Sequence, residues 1–201
     1  MADLKPRQQQ IVDVAIQLIA DGGIQQLTMN NIAQRIGISE PAIYRHFSSK
    51  KDILLTILAQ FKRHSEFQAK QAHFFETSGI LLLETIFVEY INQFTKTPNL
   101  ASVVFAEEAF RGEGEVLAEI LSIMTLVYDT VTEVVGRAQA RGELRNDLPD
   151  RHLALTFLGS LRLLVKHWTM SGYAFDLHQE GMSVWNSWKT LLSPESDTSK
   201  T

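Results

Sequence analysis

Tyr44, Arg45 and His46 stand in a row, and Lys50 and Lys51 follow within a few residues. A tyrosine hydroxyl can hydrogen-bond a phosphate, or the ring can lie on a thymine methyl. A guanidinium can take a phosphate or the O6/N7 edge of guanine. A lysine at a helix start sits beside backbone N–H groups that already favour phosphate. The chemistry these residue types share is a grip on a polyanion with some capacity to read bases.

The surrounding stretch, "LTMNNIAQRIGISEPAIYRHFSSKKDIL", supplies elements to hold them. Thr28 is placed to cap a helix running to about Ile36, with Met29, Ile32, Ala33 and Ile36 on its apolar face. Gly37 makes a turn. Ser39 is placed to cap a third helix, and Pro41 falls in its first turn, where a missing N–H costs little. Ile43 and Phe47, four apart, face the core, which leaves Glu40, Pro41, Tyr44, Arg45 and His46 outside. Ser48 or Ser49 caps a fourth helix from Lys50 to beyond Arg63. Two short helices joined by a glycine turn make a helix-turn-helix, whose second helix enters the major groove.

Charge agrees with this division. Residues 1–64 hold eight Lys and Arg against five Asp and Glu, a net +3, whereas the remainder is −7 and the whole chain −4. A basic head on an acidic body fits a polyanion-binding head with a different task elsewhere.

The string from Leu27 to Leu54, preceded by a helix ending "ADGG", resembles the N-terminal DNA-binding domain of the tetracycline-repressor (TetR) family over roughly residues 7–58. The resemblance implies a dimer on a palindromic operator, released by a small molecule held in the C-terminal domain. It implies that Thr28, Tyr44, His46 and Lys50 contact phosphate. Asn30 falls where some members place a base-reading arginine, and an asparagine there suits adenine. Ser39, Glu40, Pro41 and Ala42 lie at the start of the recognition helix. Glu40 departs from what a DNA surface favours, and is expected to accept from a cytosine amino group or to orient Arg45. The N-terminal arm holds only Lys5 and Arg7, so minor-groove contacts by an arm look weak.

Beyond the head, apolar spacing is helical nearly throughout. The pattern predicts helices over about 7–20, 81–95, 100–110, 116–141, 151–171 and 177–192. It predicts a looser stretch at "ETSGI" and a disordered tail "SPESDTSKT". The expected fold is all-α with about nine helices. A helix-turn-helix domain over residues 1–50 precedes a helical effector-binding and dimerisation domain over 51–201.

Phe87, Tyr90, Phe94, Phe105, Met124, Tyr128, His167 and Trp168 are candidate lining residues for an apolar or aromatic effector, because ligand pockets are mostly apolar with few polar groups. The same residue types also build an ordinary core. The helix "LALTFLGSLRLLVKHW" is apolar on more than one face. It offers Phe157, Leu161, Leu164 and Trp168 to a partner, and the last helix offers Met182, Trp185 and Trp188. Paired across a two-fold axis, two copies of these helices make a four-helix bundle.

Catalytic patterns are missing from the sequence: it has no H-E-x-x-H, no G-x-S-x-G and no phosphate-binding glycine loop. It has no cysteine, and its six histidines lack metal-ligand spacing, so neither a metal nor another cofactor is expected. No apolar run is long enough to span a bilayer. These features fit a cytoplasmic, ligand-responsive DNA-binding regulator and repressor, not an enzyme. A helical carrier or enzyme with an idle head, or a protein-interaction module, remains the competing reading.

Overall fold

Where Thr28 meets Asn31, the chain does what its residue types demand: the Asn31 N–H donates to Thr28 Oγ1 at 3.0 Å and starts a helix. In the computed structural model the described residues are 4–74, 78–110 and 112–194. Among them the helices are α1 (Pro6–Gly22), α2 (Met29–Ile36), α3 (Glu40–Tyr44), α4 (Lys50–Phe74), α5 (Gly79–Lys96), α6 (Ala101–Val104), α7 (Gly114–Ala140), α8 (Asp150–Met170) and α9 (Leu177–Leu192). No strand occurs among the described residues.

The chain forms two compact units, one of Met1–His64 with Asn99–Ile123, the other of Ser65–Pro98 with Met124–Thr201. The first is centred on α1, α2 and α3. Ile11, Val12, Ala15, Ile32 and Ile43 are fully enclosed, and Phe47 is nearly so. Gly37 adopts φ +80, a left-handed geometry that a side chain resists, and its N–H returns to Ala33 O at 2.9 Å. That closure sets the angle between α2 and α3. Arg35 reaches back to Asp21 at 3.3 Å and ties α2 to α1.

The fourth helix begins at a reciprocal cap. Asp52 N–H donates to Ser49 Oγ at 3.2 Å, and Ser48 N–H donates to Asp52 Oδ2 at 2.9 Å. Ser39, by contrast, makes no side-chain cap bond. It ends the extended segment before α3, and its carbonyl accepts from Ala42 N–H at 2.9 Å.

One expected helix is broken. Residues 98–110 form a 3-10 turn at Pro98–Leu100, the single turn of α6, and a second 3-10 turn at Glu107–Phe110. The β-branched pair Val103–Val104 lowers helix propensity, and burial of Phe105 and Phe110 outweighs what remains. The looser stretch at "ETSGI" falls partly outside the described residues. Its described part, Ser78 to Ile80, caps and begins α5. Residues 195–201 of the expected disordered tail also lie outside them.

In the second unit α5, α8 and α9 pack around aromatic side chains. Phe87 meets Phe157 edge-on at 5.8 Å and Trp185 at 5.7 Å, and Trp188 meets Phe157 at 5.5 Å. Trp185 is wholly buried, and no acceptor faces its indole N–H. Gly79 opens α5 under a cap from elsewhere: Ser78 Oγ and the Gly79 N–H both donate to Glu143 Oε2. A Cβ on Gly79 would collide with the Ala138 methyl and lie 3.2 Å from its backbone Cα. Gly79→Ala is therefore expected to cost about 1–3 kcal/mol, as overpacking does. A lowered urea midpoint with an unchanged slope checks it, because that combination reports stability alone.

Candidate nucleic-acid interface

The N-cap of α2, the first turn of α3 and the first turn of α4 come together on one side of the first unit. Thr28, Asn30, Glu40, Tyr44, Ser48, Ser49 and Lys50 line a shallow concavity there of about 450 Å³. Thr28, Asn30, Tyr44 and Lys50 are exposed, Tyr44 by 51%. Ring burial is thus not what the tyrosine is for. Because Thr28 Oγ1 accepts from Asn31, its own O–H proton remains available to an outside acceptor. The start of α4 adds a positive helix end beside Lys50. The concavity offers hydroxyls, an amide, an ammonium and one carboxylate, a set suited to phosphate oxygens and base edges.

The remaining head candidates are placed differently. Helix α3 ends at Tyr44, short of Arg45, His46 and Phe47. Arg45 is its exposed C-cap, and His46 follows in a turn, half-buried, its N–H donating to Ile43 O at 2.8 Å. Ser39 and Pro41 are exposed and Ala42 half-buried on the approach to α3. These five do not line the concavity.

Two carboxylates that sequence reasoning did not single out face the lysines. Lys50 Nζ lies 3.8 Å from Glu113 Oε1, and Lys51 Nζ lies 3.0 Å from Glu115 Oε1. Both acids are more than sixty positions away in sequence, so no local pattern could have signalled them.

The candidate effector residues do not gather. Phe105 is buried in the first unit, and the others belong to the second. There Phe87 and Phe94 are core, and Tyr90 packs on Phe94 with centroids 5.0 Å apart. Met124 is 46% exposed, Tyr128 donates to Arg151 O at 3.1 Å, and His167 lies outside against Phe175. Trp168 stands eleven residues beyond Phe157 on α8, about 16 Å along the axis. A site at Phe87 and one at Trp168 are therefore separate places. Met124 and His167 are surface residues because they sit on the outer faces of α7 and α8.

The candidate interface residues are also redistributed. A single protomer already encloses Phe157, Leu161 and Trp185 completely, and Leu164 and Trp168 are at least nine-tenths buried. Met182 and Trp188 are half-buried. Those side chains hold α8 and α9 to their own unit. The apolar surface α8 leaves to a partner is a second stripe, Leu155, Leu163 and Met170 at 63%, 70% and 75% exposure, with exposed Gly159 between the leucines. Leu191 on α9 is 64% exposed. The signal for that stripe was present in the spacing of 155, 159, 163 and 170, but it ran beside a stronger one.

Among the described residues no helix is long and apolar enough to cross a membrane, and no cluster of His, Asp and Glu could hold a metal.

Known proteins match along both regions. Residues 11–57 match the model of the tetR family of bacterial regulatory proteins, and residues 80–193 match that of the C-terminal region of MAATS-type transcriptional repressors. The fatty acid metabolism regulator protein of Bacillus subtilis is 24% identical over 88% of this chain and 91% of its own. The solved structure of the regulator FadR from Bacillus subtilis, in complex with stearoyl-CoA, superposes with a TM-score of 0.74 at 21% identity, covering 90% of this chain and 97% of that one. The structure of AibR with isovaleryl coenzyme A and operator DNA gives 0.73 at 20% identity, again over 90% and 97%. With both regions matched and the head built as a helix-turn-helix, the chain belongs to the tetR family of bacterial regulatory proteins and is a DNA-binding transcriptional regulator.

Proposed function

We propose that two copies of the chain hold their α3 helices to the two halves of a palindromic operator and repress transcription until a small molecule binds. One recognition helix reads only a few base pairs, so a two-fold pair matches a palindrome. The observation that carries this reading is the shared exposed concavity of Thr28, Asn30, Glu40, Tyr44 and Lys50. In this reading residues 1–50 read DNA and residues 51–201 serve the effector and the partner. Thr28, Tyr44, His46 and Lys50 hold phosphate, while Asn30, Glu40 and Arg45 face bases. The work is done in the cytoplasm, where the DNA is.

The effector is an apolar acyl compound. The interior of the second unit is apolar, built on Phe87, Phe94 and Phe157. FadR, of the same fold, was solved with stearoyl-CoA. A ligand can release DNA only by binding the DNA-free state more tightly, and the operator must then weaken the ligand by the same factor. Calorimetry with stearoyl-CoA, with and without operator, tests this. Equal affinity in both titrations removes that compound as an inducer.

The main experiment is selection from genomic fragments. The protein is expected to enrich a palindromic duplex, and equal affinity for a scrambled duplex would sink the reading. With the site in hand, Arg45→Ala and Asn30→Ala are expected to relax preference at one base position each. The expected loss is about 1–3 kcal/mol of discrimination. Tyr44→Ala should instead weaken all sequences together.

A further inference from the structure

Lys50 and Lys51 fill the first two positions of α4, the positive end of its dipole. That is a poor place for cations and a good one for anions. The protein supplies the anions from a distant turn. Glu113, just before α7, and Glu115, in its first turn, bring their carboxylates to 3.8 Å and 3.0 Å of the two ammonium groups. All four residues belong to the first unit. Gly112 and Gly114, on either side of Glu113, are exposed, and a Cβ on either would meet nothing within 4 Å.

Two explanations compete for the pairs. Fold stability is a weak one: these side chains are 32–67% exposed, and ion pairs of that kind contribute about 0–1 kcal/mol. The better anchored pair nearby, Lys62 with Glu119 at 3.2 Å and with Ser122 Oγ at 2.9 Å, is more buried and does not line the concavity. Lys50 does line it, and phosphate is the anion its surroundings suit.

We propose that Glu113 and Glu115 are positioning residues that stand in for DNA phosphate. They hold Lys50 and Lys51 in the DNA-free protein, and operator phosphates must displace them. The acidic turn thereby sets the strength of the backbone grip without touching a base. This rests on the DNA-binding reading above.

Phosphate contacts are independent of sequence, so a mixed-sequence duplex of roughly three helical turns serves as the probe. Glu113→Gln and Glu115→Gln are each expected to tighten binding about two- to five-fold, the range an exposed ion pair spans, with the thermal midpoint unchanged. In a Lys50→Ala background the gain from Glu113→Gln should disappear. Glu108→Gln, which removes an exposed carboxylate of the same unit, should change little. The proposal is overturned if Glu108→Gln tightens binding equally or if the Glu113 gain survives without Lys50. Either result means diffuse charge repulsion. A lowered thermal midpoint in the glutamate variants overturns it in favour of fold stability. If the parent protein binds no duplex even at low salt, the DNA-binding reading fails as well, which separates the two failures.

Discussion

Leu163→Glu is expected to give folded protomers that no longer pair, while Leu161→Glu, two positions away on α8, gives protein that does not fold. Leu161 is fully enclosed in its own chain, whereas Leu163 is 70% exposed. A carboxylate at position 161 must be desolvated with no partner, at a cost of several kcal/mol, or be protonated, which is also costly. Domains have only about 5–15 kcal/mol to lose. At position 163 the glutamate rests in water within a protomer, and it is penalised only when a second α8 covers it. The expected result is native circular dichroism with half the mass in sedimentation, and operator affinity reduced with it. A Leu163→Glu protein that remains dimeric would place the two-fold contact on another face.

Operator affinity should fall about 10²-fold between 50 and 200 mM salt. Each head brings two ammonium groups, Lys50 and Lys51, to the start of α4. Two heads then neutralise about four phosphates, and at a slope of roughly −0.9 per phosphate that rise in salt has this size; the hydroxyls of Thr28 and Tyr44 are neutral and release no counterion. The whole chain is net negative at −4, so the effect must come from the local +3 of residues 1–64. Anisotropy titrations over a salt series measure it. A slope of log affinity on log salt shallower than about two would mean that few of these residues meet phosphate.

How much of this was legible beforehand varied with the range of the interaction. The chemistry of Thr28, Tyr44 and Lys50 could be read because residue type, cap position and four-residue spacing are local properties. So could α1, α2 and α9, whose ends carry glycine or capping signals. Apolar periodicity says that Phe157, Leu161 and Trp185 are covered, but not whether by their own chain or another. They were first assigned to a partner, and the protomer covers them itself. The broken 98–110 segment was hidden for a related reason: Leu100, Val103, Val104 and Phe110 give helical spacing, while tertiary burial decides the backbone. Glu113 and Glu115 were invisible because their meaning lies in lysines contributed by α4.

The three tryptophans have an optical consequence. All are in the C-terminal half, at 168, 185 and 188, and residues 1–64 contain none. Their surroundings differ: Trp168 donates to Phe175 O at 2.9 Å, Trp185 is sealed between Phe87 and Phe157 with its N–H unbonded, and Trp188 is half in solvent. Tryptophan emission from the protein is thus blind to the DNA-reading head and weighted towards the unit proposed to hold the effector. An indole with no acceptor is the one whose spectrum has most to gain from a newly arrived carbonyl or water. Titrating an acyl ligand while watching tryptophan emission, with the operator carrying a separate dye, would read the two halves of the molecule in two colours.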